Sequence, residues 1–223
     1  MGCDIHIVIQ RFEDGAWREV VWQSEPYDFE GAPKAVEGVP IAPDVFDGRN
    51  YDLFGILANV RNGIGFAGSQ MGEGWPSIAA GRGWPADFDL RHITPDPQYR
   101  EESRYLGDHS FTWLTLEELK DYRWDATESW LYGVVPADEY DRLAGAPPEI
   151  YCGGVMGPGI KTYEPDEYKA ARETGTLVER PHVRMGWPMT ARAATGDWPG
   201  QVIPWLETLA DGKQLRLILG FDS

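Results

Sequence analysis

A chain of 223 residues is long enough for one sizeable domain or two small ones, and its 42% hydrophobic and 25% charged content is that of an ordinary globular protein. Its net charge of −16 repels phosphate backbones, which disfavours general coating of DNA or RNA. That leaves a small ligand in a local pocket, a basic protein partner, or mimicry of nucleic acid. No run approaches the roughly 20 apolar residues of a membrane span, so no membrane association is expected. Two cysteines, Cys3 and Cys152, make no disulfide scaffold. With no signal peptide before them, both are expected as reduced thiols in a cytoplasm.

The opening residues 1–10 read as a β-strand. Side chains alternate across a strand, so Cys3, Ile5, Ile7 and Ile9 share an apolar face while Asp4 and His6 share the other. Glu13-Asp14-Gly15 is a turn signal, and residues 16–22 read as the second strand of a hairpin. Residues 24–48, rich in Pro, Gly and acid, read as a loop. Residues 49–61 carry the clearest helical rhythm, in Leu53, Phe54, Ile56, Leu57 and Val60, with Asn50 as N-cap, Asp52 in the first turn and Asn62-Gly63 as the stop.

Residues 63–112 hold many Gly, Pro and Trp with little periodicity, and read as a lid or pocket wall. Thr115 and Glu118 form a capping box for a short helix over 116–123, which places Asp108 and His109 in the loop before it. A strand is expected over 130–135. Short helices are bracketed by Pro136 and Gly145 and by Pro165 and Gly175, with a glycine-rich loop over 153–159 between them. Residues 180–190 alternate as a strand whose far end Pro188 confines to an edge or a bulge. A helix over 198–210 contains Pro204, and residues 214–221 form the last strand. With strands at both ends and no regular βαβ alternation, the fold class is α+β. A single domain is expected, its largely antiparallel sheet including both terminal strands and packed with helices and long loops.

With the apolar faces turned inward in one sheet, the opposite face would present Asp4, His6, His182, Arg184, Arg216 and Asp222. Asp4, His6, Asp108 and His109 are the candidate catalytic residues. Asp4, His6 and His109 are candidate ligands of a divalent metal, Zn or Mn, that would lower the pKa of a bound water for hydrolysis. Without a metal, the same imidazole and carboxylate groups could do acid–base work. Asn50 and the cations Arg49, Arg61, Arg184 and Arg216, with His182, are candidate ligand-binding residues. Arginine holds phosphate bidentately, and aromatic side chains can stack a base, so a small nucleotide-like ligand fits this set. The bland alternative is a solvated polar face carrying salt bridges. Both cysteines read as inert.

The Asp-x-His opening resembles the first metal motif of the metallophosphoesterases over three residues. The Gly-Asp-x-x-Asp-Arg-Gly and Asn-His segments of that family do not occur here. Four segments, residues 1–6, 49–62, 108–114 and 215–223, resemble an uncharacterised family spread among bacteriophages and bacteria that opens with the same hexapeptide. Ser223 departs from the Asn expected there. The resemblance carries no catalytic assignment. It implies an accessory protein of phage or prophage type in the cytoplasm of a bacterial host cell. Such a protein would be either a metal-assisted hydrolase of a nucleotide or other phosphoester, or a binding protein that inhibits a host enzyme or defence system or sequesters a nucleotide.

Overall fold

The computed structural model describes residues 2–25, 34–89 and 105–222. The remaining parts of the two expected loops, 26–33 and 90–104, lie outside the described residues, as does Ser223. Among the described residues seven strands run β1 Asp4–Glu13, β2 Ala16–Glu19, β3 His109–Thr115, β4 Glu128–Pro136, β5 Ile160–Tyr163, β6 Arg180–Thr190 and β7 Leu215–Asp222. The α-helices of the same residues are α1 Tyr51–Ala58, α2 Leu116–Asp121, α3 Ala137–Leu143, α4 Pro165–Glu173, α5 Ala191–Ala194 and α6 Trp198–Ala210. The fold is α+β, as the sequence implies.

Local chemistry explains most of these boundaries. Asp14 and Gly15 both take positive φ, 50° and 78°, which gives the tight two-residue turn that a twisted β1–β2 hairpin favours. α1 begins where the Asn50 side chain accepts the Leu53 N–H at 3.0 Å. It ends earlier than expected, because Asn59 turns left-handed at φ 59°. The Thr115–Glu118 capping box forms as read and starts α2.

The strands do not form one sheet. β2-β1-β7-β3 make one antiparallel sheet, with the two terminal strands paired over Asp4↔Asp222 to Arg11↔Leu215. β4-β6-β5 make a second, in which β5 and β6 run parallel. His182 and Arg184 therefore lie on a different sheet from Asp4, His6, Arg216 and Asp222. Alternation fixes which face a side chain takes, not which strands are neighbours, so both arrangements satisfy the same pattern. Pro188 sits in β6 beyond the Arg180–Val183 stretch that β5 covers, where the missing N–H breaks no ladder on that side.

The second face of the first sheet is also not the open polar surface expected. Ile218 is fully buried with Val8, Phe88 and Leu106, and Arg216 is only 3% exposed. The chain around Leu106 crosses so closely over β7 that a Cβ on Gly220 would strike the Leu106 carbonyl oxygen. The main core lies on the other face. Ile5, Ile7 and Ile9 of β1 and Leu217, Leu219 and Phe221 of β7 join Phe54 and Leu57 of α1 and Met185 and Trp187 of β6 in one cluster. Cys3 belongs to that core, as its strand phase implies.

Candidate functional site

Two groups of polar residues adjoin where β1 and β7 meet the start of α1. The first is built on Asp222. Its Oδ1 accepts the Asp4 backbone N–H at 3.2 Å, and its Oδ2 lies 3.0 Å from His6 Nε2. The Tyr105 hydroxyl donates to the same Oδ2 at 3.4 Å, and its ring stands edge-on to the imidazole at 4.8 Å. Asp4 does not meet His6; its carboxylate accepts a bidentate pair from Arg49 at 2.8 and 2.7 Å. That guanidinium holds the Asp4 carboxyl below the usual carboxylate range.

The second group lines a cleft of about 830 Å³. Asn50, Tyr51, Asp52 and Arg61 come from α1 and its flanks, Arg184 from β6, and Tyr151 and Cys152 from the segment before the glycine-rich loop. Further wall is supplied by residues 63–67, 69, 71 and 153–156. Left-handed backbone at non-glycine residues gathers at this margin, in Asn59, Arg61 and Ala67. Such conformations cost energy that the surrounding structure must offset, and they concentrate at binding and catalytic sites. The two groups connect through Tyr51, whose hydroxyl accepts the Cys3 N–H at 3.2 Å and whose ring lies under the Arg61 guanidinium at 5.3 Å.

Three of the six expected ligand-binding residues, Asn50, Arg61 and Arg184, thus meet at one cleft. Asn50 is also structural: besides capping α1 it donates from Nδ2 to the Ala194 carbonyl at 3.2 Å. Arg49 belongs to the Asp4 pair. His182 sits against its own strand, Nδ1 being 3.2 Å from the Arg180 carbonyl oxygen. Arg216 lies at the far end of β7 from Asp222. Its guanidinium donates to Gln10 and to Asp87 and covers the Trp17 ring at 4.2 Å, so it builds the sheet rather than the cleft.

His109 opens β3 instead of lying in the loop before it, and it pairs with Phe221 across the ladder. Directly paired residues share a face, which puts His109 with Phe221 and Ile5, opposite His6 and Asp222. Its ring stacks over Phe221 at 6.4 Å and its Nδ1 lies 2.8 Å from Ser110 Oγ. Asp108 is exposed, its carboxylate 3.9 Å from His109. Asp4, His6 and His109 therefore do not surround one point. Among the described residues no three His, Cys, Asp or Glu side chains form a group able to hold a metal ion. No described helix is long and apolar enough to cross a membrane.

Asp52 and Asp222 are the residues that sequence reasoning underrated. Asp52 reads as a helix first-turn carboxylate, yet burial pushes its carboxyl up, partly offset by the Trp75 indole N–H donating at 2.8 Å. Tyr151, in the same cleft, is pushed up by burial and by the Asp52 charge. The Cys3 thiol is likewise raised by burial, against the lowering effect of Arg61, which fits an inert core residue. Asp222 stood on the polar face with His6; only the antiparallel register of β1 and β7 makes it the imidazole's partner.

No family model matches the chain, and neither a curated protein nor a solved structure is similar enough to it to count as a match.

Proposed function

We propose that this protein binds a small nucleotide-like anion in the cleft between α1 and the β6 sheet. The observation that carries the reading is the pairing of two cations from separate elements, Arg61 and Arg184, with aromatic walls at Tyr51, Phe66 and Tyr151 in one cavity. Guanidinium groups hold phosphoryl oxygens in pairs and aromatic rings stack bases, so the lining matches both ends of a nucleotide. A phage-type accessory role in a bacterial cytoplasm belongs to the same proposal and rests on the sequence resemblance. Calorimetric titration with nucleoside mono- and diphosphates tests it. Binding is expected, with affinity about tenfold weaker in Arg184→Ala, one charge-assisted contact being worth roughly 1.5–3 kcal/mol. Absence of heat and of thermal stabilisation with every nucleotide at millimolar concentration overturns it.

A second reading, hydrolysis of the bound phosphoester, is favoured by Asp52. Its carboxyl, raised by burial, holds its proton to higher pH than an exposed aspartate does and is in that sense suited to protonate a leaving oxygen while water attacks phosphorus. The metal-assisted form of this chemistry would need Asp4, His6 and His109 around one ion, and their geometry does not fit that role. Phosphate release by the native protein, lost in Asp52→Asn with binding retained, supports the catalytic reading. No release from any bound nucleotide removes it and leaves the binding reading standing.

A further inference from the structure

Beside the cleft lies a second hollow of about 330 Å³, and Arg184 lines both. The partition between them is the strip 69–71: Ser69 and Met71 line the cleft and Gln70 lines the hollow. That strip is fixed to β4, where the Tyr132 N–H donates to the Met71 carbonyl at 2.8 Å. Gly186 shares the Arg184 face of β6 and forms part of the hollow; a Cβ there would lie 3.0 Å from the Tyr132 ring. The two compartments share Arg184 and otherwise have separate linings.

Their chemistries differ. The cleft side offers aromatic walls. The hollow is walled by Tyr132, Pro165, Met185 and Gly186, and its polar groups besides Arg184 are Gln70 and Glu164, whose Oε1 lies 3.4 Å from Arg184 Nε. A carboxylate accepts hydrogen bonds and repels a second anion, so a terminal phosphate entering the hollow would meet like charge. A neutral group rich in hydroxyl donors would instead satisfy Glu164 and Gln70. Arg184, with its side chain 37% exposed, stands where the anion joining the two parts would lie.

We propose, building on the nucleotide reading of the cleft, that the ligand is a nucleotide whose phosphate is esterified to a neutral polyol, the chemical class of nucleotide sugars. The base and ribose occupy the cleft, the phosphoryl bridge lies at Arg184, and the polyol fills the hollow.

Titration of the full chain with UMP, UTP and UDP-glucose, and with AMP, ATP and ADP-glucose in parallel, tests this. The sugar-bearing forms are expected to bind at least about tenfold more tightly than the monophosphates and than UDP and ADP titrated alongside, as two or more hydrogen bonds to the sugar would give. Gln70→Ala, a change at an exposed side chain, is expected to reduce that advantage while leaving monophosphate affinity unchanged, and Glu164→Gln, which also frees Arg184 from its carboxylate partner, is expected to reduce it while strengthening monophosphate binding. If monophosphates bind and the sugar forms bind no better, the polyol inference fails and the cleft reading stands. The inference is equally overturned if the triphosphates outbind the sugar forms, or if both variants keep the full advantage. If no member of either series binds, the cleft reading itself fails.

Discussion

Asp52 occupies the first turn of α1, where the helix N-terminus ordinarily favours a carboxylate. In the fold, burial outweighs that help and raises its pKa. An unfolded chain ionises this group in the ordinary carboxylate range, whereas the folded chain ionises it only at higher pH. Between the two values the folded state holds the extra proton. Its contribution to stability is thus fully present below the unfolded value and lost as pH rises through the folded one. Asp52→Asn keeps an acceptor for the Trp75 indole and removes the titration. Its melting temperature relative to the native protein should climb with pH across that window and level off above it. A difference that stays flat from acid to neutral pH would show that the carboxyl is not shifted. None of this was legible in the sequence, because Asp52 is equally at home as a solvated capping charge, and its burial depends on Trp75 and Tyr151 arriving from elsewhere in the chain.

At the scale of elements, what local rules govern was legible and what neighbours govern was not. Residues 180–190 and 198–210 form β6 and α6 with the expected limits, because alternation and the 3.6-residue rhythm are carried within each segment. The capping box at Thr115 needs only four residues, and it formed. The partition of strands into two sheets, the place of His109 on β3 and the burial of Arg216 all depend on which strand lies beside which. The close crossing of residues 105–107 over β7 belongs to this class, and it yields a strong expectation. Gly107 takes φ 80° with its missing Cβ against Phe221 backbone atoms, and Gly220 faces the Leu106 carbonyl. Gly220→Ala should lower unfolding free energy by more than about 3 kcal/mol, since backbone meets backbone and no flexible side chain can give way. Urea denaturation followed by circular dichroism measures this, and a loss below about 1 kcal/mol would mean that the crossing is looser than described.

At the scale of the whole molecule, the two sheets share one hydrophobic cluster: Phe221 and Leu217 from one, Met185 and Trp187 from the other, together with Phe54 and Leu57 of α1. A shared core couples the sheets, so unfolding should be a single transition seen at the same urea concentration by circular dichroism and by tryptophan fluorescence. Trp187→Ala should shift both probes together by about 3–5 kcal/mol. Two separated transitions, with only one moved by the substitution, would show instead that the β4-β6-β5 sheet is an independent unit.

The pairing of β1 with β7 has a consequence in time. β7 is an inner strand of its sheet, flanked by β1 and β3, yet it is the last element of the described chain. During synthesis β1 precedes β7, its Asp4 lying 218 positions before Asp222, so the edge that β7 occupies, and the apolar residues Ile5, Ile7 and Ile9, stay without those partners until the chain between the two strands has been made. Sheet closure is a long-range event, with loop-closure entropy met before any ladder bond forms between β1 and β7, so folding is expected to be slow for a chain of this size. The vulnerable period for misassociation is therefore the interval in which β1 waits for its neighbour, an interval set by the rate of translation.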